Sequence, residues 1–391
     1  MNQNNGRVAR GASAASHEAV REHARRLAAH WGADYFRKCD HDRVFPEAFF
    51  EAAGRAGYFG ALLEERDGGS GAGLGAASIL IEEINRAGGD ASTAGAQMSI
   101  CGALARDGSS AQRALLADVA SGRTRLLTVA ATEPDSGAEM SSLSSTAQRD
   151  GADWIIDARK VLISFAEHTE LLLVLTRAEA GPTLFLVDLR DPAQRSAVEV
   201  RPIELLVHRM TTTLFIERLR LPDSARVGEV GQGLRCLKKG FATRRILAAA
   251  ECIGNARFLL DRAVEHAKTR SVGGALLGAH QAVSHPLAEA YAKVEAADLM
   301  RWDAIALAES GEDAEARSAL AKVLASQAAW DTAQAALMCF GGWGLAAEYH
   351  VERKLRECSM FVFNNLLYSV LATRVLGLPE DTQRPSGHSA R

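Results

Sequence analysis

The sequence predicts an α+β, mainly helical protein with an N-terminal helical domain, a middle antiparallel β-barrel and a C-terminal four-helix bundle. Three observations carry this. Apolar residues recur at helical spacing from Val20 to about Arg86 and again from about Leu234 onward. Between Leu126 and Pro222 the pattern changes to apolar runs of strand length. Those runs follow one another through short turns with no helices between them, which argues for an antiparallel barrel or sandwich and against a doubly wound dinucleotide domain.

The elements follow in order. Residues 1–16 and 379–391 are polar and rich in small side chains, and read as frayed tails. The helical domain covers 17–125. Val20, Ala24, Leu27 and Trp31 share one helical face, Arg43-Val44-Phe45-Pro46 ends that helix, and Phe49 to Leu63 reads as another. Glu64 to Gly75 is a glycine-rich loop without a GxGxxG, leading into a helix from Ala76 to Arg86. The glycines could cradle a phosphate, but no strand precedes them and no Lys-Ser/Thr closes them, so the loop reads as a flexible turn rather than a P-loop.

The β domain covers 126–230. Leu126 to Ala131 is apolar and breaks at Thr132-Glu133-Pro134, where Pro134 fixes the backbone. Strand-like sequence returns at Trp154 to Asp157, Val161 to Phe165, Leu171 to Leu175, Leu184 to Leu189 and Thr212 to Leu221. The last domain, 231–378, carries three apolar stripes: Ile246 to Val264, Leu287 to Ile305 with Tyr291 among them, and Leu320, Val323, Trp330 and Leu337. Gly341-Gly342-Trp343-Gly344 ends the third helix, and a last one runs from about Asn365 to Leu376. Such broad faces on bundle helices predict a homo-oligomer, a dimer or a tetramer, as well as a core.

Composition bounds the function. The 391 residues are 47% hydrophobic and 24% charged, ordinary for a globular enzyme of two or three domains. A net charge of −3 gives no basic footprint for nucleic acid, and no apolar run approaches the ~20 residues of a membrane span. The N-terminus has no apolar core of a secretory signal, and the six cysteines form no CxxC pair or metal spacing. A reducing, cytoplasmic location is the expectation.

Four segments carry the chemistry: Thr132-Glu133-Pro134, Lys160 to Ser164 (KVLIS), Arg270 to Gln281 (RSVGGALLGAHQ) and Gly341-Gly342. Alone, KVLIS reads as a plain buried strand and Arg270 as a solvated arginine at a helix end. Together, in this order and over roughly His17 to Pro379, they resemble the acyl-CoA dehydrogenase family. The resemblance implies FAD between the middle and last domains. Thr132 would contact the flavin ring, Ser164 its N5, Arg270 the pyrophosphate through two parallel hydrogen bonds, and Gln281 the adenosine half across a subunit interface. At Gly341 and Gly342 bare backbone would approach the pyrophosphate. Gly68, Gly69 and Gly71 match the family's Gly-Gly-x-Gly loop, Arg245 its arginine near the catalytic pocket, and Arg356-Glu357 its Arg-Asp pair.

The chain departs from the pattern at informative places. Ala138 replaces a serine near the thioester, Leu162 a tryptophan, Gly273 a phenylalanine and Met338 a glutamine. Dehydrogenation needs a carboxylate to take the acyl α-proton while hydride goes to flavin, yet the family's catalytic-glutamate position is Asn365. A gapped alignment leaves Asn364 or Asn365 capping the last helix, and the relatives' other site for the base is Arg244. Asn365 cannot deprotonate carbon, although its amide could orient a carbonyl. Glu133, Glu139 and Glu357 correspond to structural family positions, which leaves His208 as the one pocket-side histidine to nominate.

Three functions follow from the resemblance. The first is a divergent FAD oxidoreductase acting on an acyl thioester, acyl-CoA or acyl-carrier-protein, in a specialised biosynthetic pathway. The second is a flavin-dependent monooxygenase or oxidase that needs no base. The third is a non-catalytic acyl- or carrier-protein-binding subunit, recognised by failure to retain FAD.

Overall fold

The computed structural model describes residues 5–137 and 143–379. Ala138 and Glu139, singled out above, lie outside the described residues. The chain enters through helices α1 (Asn5–His30), α2 (Ala33–Asp42), α3 (Glu47–Arg55), α4 (Gly73–Arg86), α5 (Ser92–Asp107), α6 (Ser110–Arg113) and α7 (Leu116–Ala120). The backbone is thus helical from Asn5, where a tail to Ser16 was expected. The single helix expected from Val20 is two, broken at Gly32, whose extended backbone (ψ −158°) cannot continue a helix. The helix expected to reach Leu63 ends at Arg55, because Gly57 takes a left-handed φ of 78° and a short turn of 3₁₀ helix follows.

The β unit comprises β1 (Thr128–Ala130), β2 (Thr146–Asp150), β3 (Asp153–Ser164), β4 (Leu171–Ala178), β5 (Gly181–Asp188), the short α8 (Pro192–Ser196), β6 (Val198–Pro202), β7 (Thr211–Pro222) and β8 (Arg226–Val227). Its order is β6-β7-β3-β2-β4-β5-β8, antiparallel except where β4 meets β1 and the first residue of β2. Trp154 to Phe165, expected as two strands, is essentially one bent strand: β3 shifts register against β7 between Lys160 and Ile163, and Leu162 and Phe165 take positive φ there (56° and 63°). Leu171 to Leu175 read as an unbroken apolar run because β4 is buried on both sides. Leu171, Leu173 and Leu175 pack with residues of α5 and α7, whereas Leu172 and Val174 face Trp154, Leu214 and Ile216 from β3 and β7. The sheet therefore curls onto itself.

The last unit holds α9 (Gly233–Lys238), α10 (Phe241–Thr269), the hairpin β9 (Ser271–Val272) and β10 (Ala275–Leu276), then α11 (Gln281–Glu309), α12 (Glu315–Phe340), α13 (Val351–Ser359) and α14 (Asn365–Arg374). Central α12 packs on both α10 and α11. Its buried face is therefore alanine, at 321, 325, 328, 329, 333 and 336, since small side chains let helices approach closely. Of the larger residues expected to line it, only Val323 is fully buried, and Tyr291 of the α11 stripe is exposed. The six cysteines are buried and unpaired. Among the described residues no helix is long and apolar enough to cross a membrane.

A buried ion pair fastens the β unit beside the turn at Thr132. Lys160 Nζ donates to Glu133 Oε1 at 2.7 Å and to the Leu175 carbonyl at 2.6 Å, while the Ser144 and Ser145 amides donate to the same carboxylate. The ammonium and these amides hold the Glu133 carboxyl below its usual range against the opposing effect of burial. Lys160→Met strands a buried carboxylate and is expected to lower unfolding free energy by about 3–5 kcal/mol, read from the urea midpoint. Because the folded Glu133 value is depressed, the wild-type advantage holds above the unfolded value and fades as pH falls through the folded one.

Candidate functional site

A cavity of about 370 Å³ opens where the three units meet. From α5 it receives Ser92, Ala96, Ser99, Ala103 and Arg106, spaced four and three residues apart and so on one helical face. The β unit contributes Leu127, Val129, Ala131 and Thr132 from β1 and its exit, and Leu162 to Phe165 from the bulged end of β3. The last unit contributes Cys236 of α9, Phe241, Arg244 and Glu251 of α10, and Met360 and Phe361 after α13.

Thr132 and Ser164 are therefore brought together on one wall. No hydrogen bond of either side-chain hydroxyl is formed among the described residues; the Thr132 and Ser164 carbonyls instead accept from the Val161 amide and the Thr128 hydroxyl. Leu162, at the position of the expected tryptophan, projects beside them on the strained bulge.

Among the described residues, Glu251 is the one carboxylate lining this cavity, and it is only 2% exposed. Its Oε1 accepts from Arg209 Nη2 at 2.6 Å, and Arg209 Nη1 reaches Asp90 at 2.7 Å. Burial pushes the Glu251 carboxyl above its ordinary range, and nearby Asp90 adds to that, while Arg209 opposes it. Sequence reasoning missed both Glu251 and Arg209. The available signal was a carboxylate inside the apolar stripe of α10, in Ala-Ala-Ala-Glu-Cys-Ile, where a charge persists only with a partner.

Other expectations fall elsewhere. Arg245 turns away from the cavity toward α12, its Nη1 3.4 Å from the Glu315 carbonyl, and Arg244 lines the cavity instead. Asn365 is exposed at the start of α14 and lines no part of it. Asn364 precedes that helix without capping it, because its side chain is held inward by Lys322 Nζ at 2.6 Å and the Ser326 hydroxyl at 2.9 Å. His208 faces a separate small cleft with Asp40 and Glu357; its neighbour Arg209 is the cavity residue. Arg356 bridges to Asp40 of α2, and buried Glu357 pairs with Arg353 and Lys354.

Arg270, Gln281, Gly341 and Gly342 gather away from that cavity. The His266 ring stacks on Phe340 at 4.2 Å, placing the end of α10 against the end of α12. Arg270 caps α10, its carbonyl accepting from Leu277, and Gln281 opens α11. Gly273 and Gly274, with φ of 62° and 84°, form the two-residue hairpin turn between β9 and β10, which explains a glycine where the family pattern has phenylalanine. Gly341 takes φ 58° and ψ −137°, and a Cβ on it or on Gly342 would meet only open space.

Comparison with known proteins agrees with this fold. The family models for the acyl-CoA dehydrogenase N-terminal, middle and C-terminal domains match residues 14–123, 128–217 and 231–363. The acyl-CoA dehydrogenase FadE12 of Mycobacterium tuberculosis (strain ATCC 25618 / H37Rv) is 32% identical over 378 residues, 93% of this chain and 96% of that protein. The solved FAD complex of PigA superposes with a TM-score of 0.87 at 24% identity, covering 93% of this chain and 98% of the other. The glutaryl-coenzyme A dehydrogenase–glutaryl-CoA complex superposes with a TM-score of 0.85 at 24% identity, covering 93% and 96%. The chain belongs to the acyl-CoA dehydrogenase family of flavin oxidoreductases.

Proposed function

We propose that this protein is an FAD-dependent oxidoreductase that desaturates the acyl group of a thioester, carried on CoA or on an acyl carrier protein. The observation that carries this reading is one cavity lined by Thr132 and Ser164 and, among the described residues, by a single buried carboxylate, Glu251. The residues fit the cofactor. Two hydroxyls with no hydrogen-bond partner among the described residues line the cavity where the ring would lie, and open glycine backbone at Gly341 and Gly342 stands beside the Arg270 turn. Once bound, FAD supplies the hydride acceptor. Arg270 and Gln281 sit on a different face from Thr132 and Ser164, which supports their serving a second subunit in a homo-oligomer. Exposed apolar side chains of the last unit, among them Met338 (80% exposed) and Phe363 (82%), support the same assembly.

Glu251 takes the α-proton. Its Oε1 is held by Arg209 and its other oxygen has no partner among the described residues, so one oxygen is oriented while the other is free to accept. Its raised proton affinity strengthens it as a general base. The departures from the family pattern at Leu162, Gly273 and Asn365 support a specialised biosynthetic role.

The purified protein, incubated with FAD and desalted, is expected to show flavin absorption that bleaches on anaerobic addition of an acyl thioester substrate. Arg270→Ala is expected to lose flavin on the same column. A colourless wild type would favour a non-catalytic subunit, and unchanged flavin occupancy in the variant would remove Arg270 from the cofactor site.

A further inference from the structure

Resting on the acyl-thioester reading above, we propose that the acyl group is itself anionic, a chain bearing a carboxylate that Arg106 and Arg244 recognise inside the cavity. Both arginines line it. Neither has an ion pair or hydrogen-bonded side-chain partner among the described residues, and both stay exposed where the cavity opens, whereas the buried Arg209, Arg301 and Arg353 each meet a carboxylate. The acidic groups nearest to them are already engaged: Asp107 by Lys239 and Glu251 by Arg209.

The two cations sit at different depths. Arg244 reaches across from α10 to Gly95 of α5, its Nη1 3.9 Å from where a Cβ there would stand. Arg106 Nη1 lies 2.7 Å from the equivalent point on Gly102, and its Nη2 is 3.3 Å from that on Gly240. Gly95 and Gly102 are seven residues apart on one face of α5, which separates the two levels by about 10 Å. Missing side chains at Gly95, Gly102 and Gly240 make the room that both guanidinium groups occupy. An acyl chain lying along α5, between Ser92 and Arg106, passes Arg244 and ends at Arg106.

The walls between are Ala96, Ile100 and Ala103, apolar enough for methylenes. Desolvation weakens the proton affinity of both guanidinium groups, and Asp107 near Arg106 and Glu251 near Arg244 oppose it only in part, so a bound carboxylate adds the countercharge that each lacks as a direct partner. The same arrangement disfavours a cationic acyl group such as an aminoacyl thioester, which would bring like charge against unpaired arginines.

The test compares matched thioesters on the FAD-loaded full-length protein: adipoyl-CoA against hexanoyl-CoA, and suberoyl-CoA against octanoyl-CoA, followed by anaerobic flavin bleaching. CoA phosphates are common to each pair, so any preference belongs to the terminal carboxylate. The carboxylate member is expected to be favoured roughly 10- to 100-fold in kcat/KM, the scale of one charge-assisted contact. Arg106→Gln and Arg244→Gln should each shrink that ratio, with flavin content measured in parallel. Equal or better turnover of the methyl-ended thioesters overturns the inference and leaves the acyl-thioester reading standing. Bleaching by none of the four, with flavin bound, counts against both. Loss of flavin from Arg106→Gln or Arg244→Gln would assign these cations to a cofactor phosphate and also overturns the inference.

Discussion

Glu251→Gln is expected to lower kcat by about 10²- to 10⁴-fold, the contribution of a positioned general base, while flavin absorption and thioester binding persist. Glutamine keeps an oxygen for Arg209 Nη2 and so keeps the 2.6 Å contact, but it cannot accept the α-proton. The pH dependence separates a base from a structural acid. Burial and Asp90 raise the proton affinity of Glu251, so the acid limb of wild-type kcat/KM lies above the ordinary carboxylate value of 4.5, and the variant lacks that limb. Exchange of the substrate's α-hydrogen with deuterium oxide gives an independent reading, present in wild type and absent in the variant. Asn365→Ala is expected to leave kcat essentially unchanged, since its side chain is outside the cavity. A variant at position 251 that still turned over at the wild-type rate would mean that the reaction needs no base, as in an oxygen-using flavoenzyme.

The contrast between Arg244 and Arg245 shows where the sequence was and was not legible. A period of 3.6 residues places neighbours about 100° apart around α10, so a one-residue choice decides whether a side chain faces the cavity or α12. Family spacing selected Arg245, whereas the helical phase set by Phe241 and Glu251 selects Arg244. The block order was legible because periodicity records burial, and burial differs sharply between α5, two-sided β4 and the bundle. The β3 bulge was not, since Leu162 and Phe165 hold positive φ through pairing with β7, a long-range cause that propensity does not carry. Thr132 and Ser164 were found because a motif fixes each beside a turn or strand end. Arg209 and Glu251 were missed because they lie 42 residues apart in the chain and their meaning exists only as a pair. The break at Gly32 and the alanine face of α12 were likewise set by tertiary packing, and small residues leave little trace in an apolar pattern.

The largest stability loss is expected at Glu82→Gln. Glu82 on α4 is fully buried and meets Arg21 from α1, Arg257 from α10 and Arg301 from α11. One carboxylate therefore ties the first helix, the N-terminal domain and the bundle together. Burial alone would raise its proton affinity, but Arg301, Arg257 and Arg21 outweigh that and bring it down to about 2 from 4.5. That difference corresponds to about 3 kcal/mol of differential interaction, and removing one partner of a buried charge network costs about 3–5 kcal/mol because the other charges stay behind. Arg301 is the charge most exposed to that loss. It is fully buried, and after the substitution it keeps, among the described residues, only Asp298 as an anionic partner. Because the folded value is depressed, the Glu82 contribution is complete above pH 4.5 and drains away as pH falls toward 2. The difference in urea midpoint between wild type and variant should therefore be wide at pH 7 and should narrow steadily on acidification. A gap of constant width down to pH 2 would mean that glutamine disturbs packing alone, and that the three arginines gain nothing from the charge they surround.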